Sequence, residues 1–338
     1  MSMIPEKPSL QSIYLGGGTP SQLQHSDLLR LFTYIYKTFS VADGAEVTME
    51  CNPDDIHEGM LTDLPVNRIS MGAQTFDDKR LRLLHRRHTA SEVERAMNIL
   101  RKDGINNISI DLMFGFPGET LQEWEKDIDC ALQLHPEHLS AYGLMYEDGT
   151  ALKQMLDNGI VKEIDDNLSI AMYSLLVKKM KANNYEHYEI SNFAKLSSVQ
   201  SQSQSTISPY RSRHNSSYWH DVPYIGIGAA AHSYDRHTRH WSVADIRRYI
   251  DSIEQGKLPY EEESIDERTH YNDIVTTALR TREGININNL PPTFRDYLLL
   301  LAKPYIDRGL MKQQGHFISL TYQGILISNQ IMADLMSV

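Results

Sequence analysis

Short apolar runs alternate with amphipathic stretches through the first half of this 338-residue chain. The runs have the length and composition of β-strands and cover residues 12–15, 46–51, 68–72, 108–113, 138–142 and 185–190. The stretches between them have helical spacing, as at Leu28, Phe32, Ile35 and Phe39. This alternation predicts parallel strands with crossover helices, in a barrel or an open sheet, and a ligand site at the carboxyl ends of the strands.

Two of the predicted helices start with a recognisable capping pattern. Thr89 is followed by Glu92, and Thr120 by Glu123, which is the spacing of a capping box. The second helix then carries Trp124, on the face that we expect to be buried.

Charge and composition exclude several classes of protein. The net charge of −11 argues against a nucleic-acid partner, because phosphate binding needs a basic face. No apolar run approaches the roughly 20 residues of a membrane span, and the first residues do not have the pattern of a signal peptide. We therefore expect a cytoplasmic protein, with peripheral membrane contact left open. Two cysteines, Cys51 and Cys130, are too few for a disulfide framework or a four-cysteine zinc site.

Composition also suggests a domain organisation. A Ser/Gln-rich stretch begins near residue 195 and is typical of a mobile surface loop. The strand–helix rhythm stops after it, and helical patterns return near residue 267. We predict three parts: a strand–helix domain over residues 1–194, a connecting region over 195–265, and a small helical domain with winged-helix character over 266–338.

A glycine-rich turn follows the first predicted strand. Gly16, Gly17 and Gly18 are followed by Thr19 and Pro20, so the backbone here is able to approach a ligand closely. The turn matches neither the phosphate-binding loop nor the dinucleotide-binding fingerprint. Two interpretations stay open: a ligand-contacting loop and a simple tight turn.

Polar residues stand at or near the ends of the later strands. Asp111 lies inside an apolar strand, where an unpaired carboxylate is costly. Glu50 ends one strand, Gln74 follows another, and Arg86 lies in a cluster of basic residues. Each of the last three also has a structural interpretation: a solvated carboxylate, a local hydrogen bond and a solvated helix end, respectively.

A second distinctive block contains a histidine followed by two aromatic residues, His214, Tyr218 and Trp219, with Asn215 beside the histidine. Histidine is a common axial ligand of haem iron, and aromatic side chains supply an apolar wall for a flat macrocycle. A hydrogen-bonded turn beside an aromatic core is the alternative.

These blocks together resemble the radical S-adenosylmethionine (SAM) family that contains the oxygen-independent coproporphyrinogen III dehydrogenases and the HemW-type haem chaperones. The matching segments occur in the family's order and are Ile13–Ser21, Glu50–Pro53, Arg68–Phe76, Asp111–Gly118, Tyr188–Ala194 and His214–Trp219. The last two segments favour the haem-chaperone branch over the dehydrogenase branch.

The resemblance implies a fold and a set of ligands. The fold is α/β, an incomplete (β/α) radical SAM barrel with a small C-terminal domain. The residues implied in SAM binding are Gly17, Gly18, Thr19, Glu50, Gln74, Arg86 and Asp111. The residues implied in haem binding are His214, Asn215, Tyr218 and Trp219. The implied partners are haem, as cargo, and the proteins that accept it.

One expected element of the family pattern does not occur in the sequence. The family holds a [4Fe–4S] cluster on three cysteines in a Cys-x3-Cys-x2-Cys loop before the glycine turn, and this chain has no such loop. We therefore expect the first strand–helix unit of the barrel to be missing and no radical chemistry from this chain alone. Three hypotheses for the function stay open: haem carriage, coproporphyrinogen dehydrogenation, and a scaffold whose motifs are relics.

Overall fold

The computed structural model describes residues 9–197 and 207–338. Two compact units divide the chain, Met1–His214 and Asn215–Val338. Most of the Ser/Gln-rich stretch, which was predicted to be mobile, lies outside the described residues. The domain boundaries predicted after residues 194 and 265 stay predictions.

The first unit is built on one seven-stranded sheet with helices along the chain between the strands. Its elements are β1 (Ser9–Leu15), α1 (His25–Thr38), β2 (Ser40–Cys51), β3 (Arg68–Gln74), α2 (Asp78–Leu83), α3 (Ala90–Lys102), β4 (Ile108–Phe114), α4 (Leu121–Gln133), β5 (His138–Gly143), α5 (Ala151–Asp157), α6 (Asp166–Ala182), β6 (Tyr185–Glu189) and β7 (Asn192–Lys195). The strand order is β1-β2-β3-β4-β5-β7-β6. Strands β1 to β5 are parallel, whereas β7 runs antiparallel to both β5 and β6. The predicted α/β partial barrel is confirmed as an open half-barrel.

Alternation along the strands separates an apolar face from a polar one. In β3, Ile69 and Met71 are fully buried in the hydrophobic core, while Ser70 points to the opposite face. Helix α4 contributes Trp124 to that core, and its indole nitrogen donates a hydrogen bond to the carbonyl of Met172 in α6. The helices therefore cover one face of the sheet, and the polar side chains are left on the other, inner face.

The predicted capping boxes are both present. Thr89 and Glu92 cap α3, and Thr120 and Glu123 cap α4. Each box satisfies backbone N–H groups that a helix start would otherwise leave without a partner.

The second unit contains two three-stranded antiparallel sheets and several helices. Helix α7 (Arg213–Trp219) crosses the boundary between the units, and the later elements are β8 (His232–Tyr234), β9 (Thr238–Ser242), α8 (Ile246–Glu254), β10 (Tyr260–Ser264), α9 (Glu267–Ala278), β11 (Ile285–Asn286), α10 (Pro292–Asp307), β12 (Met311–Gln314), β13 (Phe317–Leu320), α11 (Tyr322–Ile325) and α12 (Ser328–Leu335). The sheets have the orders β10-β9-β8 and β11-β13-β12. Helices α9, α10 and α12 share a core with the second sheet, as predicted for a small winged-helix-like domain.

Strand β7 and the sheet of β8, β9 and β10 were not predicted, nor were β11 and β12. Strand β7 has only four residues, too few to show a period. The sheet of β8, β9 and β10 has mostly polar strands, and every residue of β10 is exposed. No helix in the described ranges is long and apolar enough to cross a bilayer.

We predict that the core of the C-terminal domain is sensitive to truncation of Leu298, which is fully buried. Leu298→Ala should lower the free energy of unfolding by about 2–5 kcal/mol, because it removes a buried side chain and leaves a cavity. The control is Leu300→Ala on the same helix, where the side chain is 69% exposed. Its effect should stay within about 0.5 kcal/mol. Equal losses in urea denaturation of the two variants would contradict the described packing.

Candidate functional site

The glycine turn after β1 is shaped by side chains behind it and is open in front. A Cβ atom on Gly16 would lie 2.7 Å from the Glu50 carboxylate and would collide with the Tyr14 ring, so this position requires glycine. Gly17 has a φ of +75°, and a Cβ atom on Gly17 or Gly18 would meet nothing within 4 Å. The backbone of this turn is therefore accessible to a ligand. Thr19 follows, partly buried, and accepts a backbone hydrogen bond from Gln22.

Glu50 connects this turn to the inner face of the sheet. One carboxylate oxygen accepts a hydrogen bond of 2.7 Å from the Tyr14 hydroxyl, and the other accepts one of 3.2 Å from the Gly17 backbone N–H. Burial raises the pKa of the Glu50 carboxyl, and the charge of Asp111 raises it as well, while the two hydrogen bonds oppose the shift. The alternative of a solvated strand end does not describe this carboxylate.

Asp111 lies on β4, and strand β3 separates it from Glu50 on β2. Its two oxygens accept hydrogen bonds from the hydroxyl groups of Ser70 at 2.9 Å and Ser109 at 3.2 Å. Burial raises the pKa of the Asp111 carboxyl, and the serine hydrogen bonds and the Arg68 charge oppose that shift. Two carboxylates on the same inner face, each affecting the local charge, favour a cationic ligand group.

The side chains of Gln74 and Arg86 both lie close to Gly72. A Cβ atom on Gly72 would lie 2.9 Å from the Gln74 amide nitrogen and 3.1 Å from a terminal nitrogen of Arg86. Gln74 has a φ of +66° and marks a register shift at the end of β3, which turns its side chain toward this glycine. The same nitrogen of Arg86 donates to Asn52 Oδ1 at 2.7 Å and to the Gly72 carbonyl at 3.2 Å. Burial lowers the pKa of the Arg86 guanidinium.

A buried ion-pair network, which sequence reasoning missed, supports the loops after β3 and β4. Arg80 donates to Glu119 at 2.6 Å and to Asp127 at 3.0 Å. Glu119 accepts the backbone N–H groups of Gly115 and Phe116, and Asp127 accepts that of Phe76. The sequence feature that could have indicated this network is Asp127, because it is a charged residue on the buried face of α4. The network fixes the loops at the strand ends beside Gln74 and Asp111.

His214 lies on the inner side of the first unit and not on an open surface. Its Nδ1 shares a hydrogen bond of 3.0 Å with the Ser12 hydroxyl, and its ring stacks on Tyr14 with centroids 4.7 Å apart at 17°. Its backbone N–H donates to Glu46 at 3.0 Å. Burial lowers the pKa of His214 to about 4, so the imidazole is neutral at physiological pH. A neutral imidazole is the form that ligates a metal.

The other residues of the block belong to the second unit. Tyr218 is 38% exposed, and its ring meets that of Tyr224 edge-on with centroids 4.7 Å apart. Asn215 and Trp219 are partly buried. The structure thus links Gly17, Glu50, Asp111 and His214 in the first unit, and it places Tyr218 in an aromatic pair of the second.

The residues present do not fit an iron–sulfur cluster. Cys51 is buried in the hydrophobic core, and Cys130 lies on α4. Burial raises the pKa of both thiols, which disfavours the thiolate form that binds metal. In residues 9–197 and 207–338, no group of three or more histidine, cysteine, aspartate or glutamate side chains has the arrangement of a metal site.

Comparison with known proteins agrees with the fold. The Radical SAM superfamily profile matches residues 2–131, and the HemN C-terminal domain profile matches residues 265–327. Among solved structures, the coproporphyrinogen III oxidase HemN of Escherichia coli superposes with a TM-score of 0.78 at 20% identity, over 96% of this chain and 77% of that one. This likeness shows the fold.

Relatives with higher sequence identity show which family the chain belongs to. The heme chaperone HemW of Bacillus subtilis is 33% identical over 96% of this chain and 85% of its own length. HemW of Lactococcus lactis is 31% identical over 96% of this chain and 84% of its own length. HemW of Mycobacterium tuberculosis is 28% identical over 98% of this chain and 82% of its own length. The chain therefore belongs to the HemW family of radical SAM proteins.

Proposed function

We propose that this protein is a haem-binding carrier that delivers haem to acceptor proteins. The observation that carries the proposal is the neutral imidazole of His214 within a histidine–aromatic block, in a chain that matches relatives named heme chaperones over most of its length. The alternative of a coproporphyrinogen dehydrogenase rests on likeness to a structure at 20% identity, which supports a common fold and nothing more.

We assign the residues of the block to the haem site by their chemistry. His214 supplies the nitrogen ligand for the iron, because neutral imidazole is a common axial ligand. Tyr218 and Trp219 supply aromatic surface for the macrocycle, and Asn215 supplies a polar group at its edge. The exposed edge of Tyr218 is consistent with a ligand that has to be released again.

The inner-face residues fit SAM. Gly17, Gly18 and Thr19 offer open backbone for the methionyl end, since a Cβ atom on either glycine meets no neighbour. Glu50, Gln74, Arg86 and Asp111 then hold the amino, carboxylate and ribose groups. The paired carboxylates suit the positive charge of the ligand, and Arg86 suits its carboxylate. Bound SAM supplies an adenosyl group and a positively charged sulfonium in a family whose chemistry depends on an iron–sulfur cluster.

We predict that haem binding depends on His214. His214→Ala should weaken haem binding at least about tenfold, a loss that is typical even when only the surroundings of a metal ligand are changed. The measurement is a titration followed by the Soret absorbance. His57→Ala is the matched control, because His57 is an exposed histidine in the same unit. Equal affinity of His214→Ala and the parent would remove His214 from the site, and no haem binding by the parent would refute the carrier function.

We predict that haem affinity changes little between pH 7 and pH 5. The pKa of His214 is lowered to about 4, so protons do not compete for its nitrogen in this range. An iron ligand with the ordinary histidine pKa of about 6.5 would weaken by about 30-fold at pH 5. Soret titrations at several pH values distinguish these two cases. A haem affinity that falls with a mid-point near pH 6.5 would exclude His214 in its buried environment as the ligand.

We predict that SAM binding depends on Glu50. Glu50→Gln removes the negative charge but keeps the shape, and it should weaken SAM binding roughly 10- to 100-fold, the range of a hydrogen bond to a charged group. Equilibrium dialysis with labelled SAM is the measurement. The control is Glu58→Gln, which changes an exposed carboxylate away from the inner face. Indistinguishable binding by the parent and both variants would contradict the assigned pocket.

A further inference from the structure

The loop after β2 lies between two parts of the proposed SAM pocket. It contains Asn52, Asp54 and Asp55, and all three residues are partly buried. On one side it contacts Ser21, which follows the glycine turn, and on the other it contacts Arg86, which we assign to SAM. The side chains of this loop are therefore placed to set the position of groups that meet the ligand.

Among the described residues, hydrogen bonds from the Arg86 guanidinium to the protein come from one nitrogen alone. Nη2 donates to Asn52 Oδ1 at 2.7 Å and to the Gly72 carbonyl at 3.2 Å. Within the same part of the chain, Nη1 and Nε have no hydrogen-bond partner. A guanidinium fixed at one nitrogen keeps its other N–H groups for a ligand carboxylate, which arginine binds through two parallel hydrogen bonds.

Asn52, which fixes that nitrogen, is itself oriented by a carboxylate. Its Nδ2 donates to Asp55 Oδ2 at 3.4 Å, and its backbone N–H donates to the Ser21 hydroxyl oxygen at 3.3 Å. An asparagine amide has an acceptor oxygen at one end and a donor nitrogen at the other. The carboxylate beside Nδ2 and the guanidinium beside Oδ1 therefore agree on a single orientation of the amide.

Asp55 is held in place by two further contacts. The Ser21 hydroxyl donates to Asp55 Oδ2 at 2.8 Å, and Arg87 donates to Oδ1 at 2.8 Å. Ser21 is buried whereas Arg87 is exposed, so solvent weakens the arginine contact more than the serine contact. A continuous path of hydrogen bonds thus runs from Ser21 through Asp55 and Asn52 to Arg86.

We propose that Asp55 is a positioning residue for SAM, and that it acts through Asn52 on Arg86. The inference rests on the SAM pocket of the proposed function. In that pocket the glycine turn meets the methionyl end of SAM and Arg86 meets its carboxylate. Both groups belong to one short chain of atoms, so the turn and the arginine need a fixed separation. The path that starts at Ser21 and ends at Arg86 supplies it.

The path matters because a free arginine side chain has many conformations. Ordering a long side chain costs conformational entropy, and the bond to Asn52 orders Arg86 before the ligand arrives. Asp55 does not have to touch SAM in order to act in this way. Its effect should therefore be confined to the ligand group that Arg86 binds, the carboxylate.

Asp54 offers a matched control for Asp55. It also pairs with Arg87, at 2.9 Å. Burial lowers the pKa of Arg86, and the charges of Asp54 and Asp55 both oppose that shift. In the described part of the chain, however, Asp54 has no hydrogen bond to Ser21 or Asn52. Comparison of the two aspartates therefore separates the hydrogen-bonded path from a general effect of negative charge.

The first test compares SAM with decarboxylated SAM, which keeps the amine, the sulfonium and the adenosyl group. In equilibrium dialysis with the full chain, Asp55→Ala should weaken SAM about 2- to 10-fold, the value of one hydrogen bond, and decarboxylated SAM less than about twofold. Retained binding of the second ligand also shows that the variant is folded. Asp54→Ala should leave both affinities unchanged. A merely structural role of Asp55 predicts equal losses for the two ligands, and that result would overturn the proposal.

The second test follows the path itself. Asp55→Asn keeps an acceptor oxygen for Ser21 and Asn52, so it should bind SAM within about twofold of the parent. Asn52→Ala should weaken SAM at least as much as Asp55→Ala does. The double variant should bind SAM like Asn52→Ala alone, because both residues act on one path. Additive losses would show that the two residues act independently and would contradict the path.

The outcomes separate this inference from the proposed function. A parent chain that binds no SAM, or binds it no better than Glu50→Gln, removes the SAM pocket and this inference together, and haem carriage is then decided by the Soret titration alone. A parent that binds SAM through Glu50, while Asp55→Ala binds both ligands like the parent, removes only the positioning role of Asp55.

Discussion

A carboxylate taken out of water has to find hydrogen-bond donors or an opposite charge, and this requirement organises the inner face of the half-barrel. Asp111 has the hydroxyl groups of Ser70 and Ser109 and the nearby cationic charge of buried Arg68. Glu50 has the Tyr14 hydroxyl and the glycine turn. These partners leave the carboxylates in defined positions on the inner face, with Glu50 next to the carboxyl end of β2 and Asp111 in the middle of β4.

The same requirement brings two distant parts of the chain together. The segment that begins α7 is more than 160 positions from β1 and β2, yet its N–H groups satisfy Glu46 and its histidine satisfies Ser12. A neutral histidine in this setting has two uses. It completes the inner face through its contacts with Ser12 and Tyr14, and it has the form that ligates a metal.

The sequence predicted the parallel strands, the capped helices and the glycine turn, because each depends on residues close in the chain. It also pointed to Glu50, Gln74, Arg86, Asp111 and His214 as the residues of interest. It did not predict the partners of these residues, such as Tyr14, Ser12 and Arg80, since their roles depend on pairings between elements far apart in sequence. The sheet of β8 to β10 was missed because its strands show no regular alternation of buried and exposed residues, and β10 is exposed throughout.

The central claim is that the chain carries haem and that His214 supplies the nitrogen ligand for its iron. A crystal structure of the full chain with haem bound tests it most directly. We expect a His214 nitrogen bound to the iron. Iron coordinated by another residue would contradict the account.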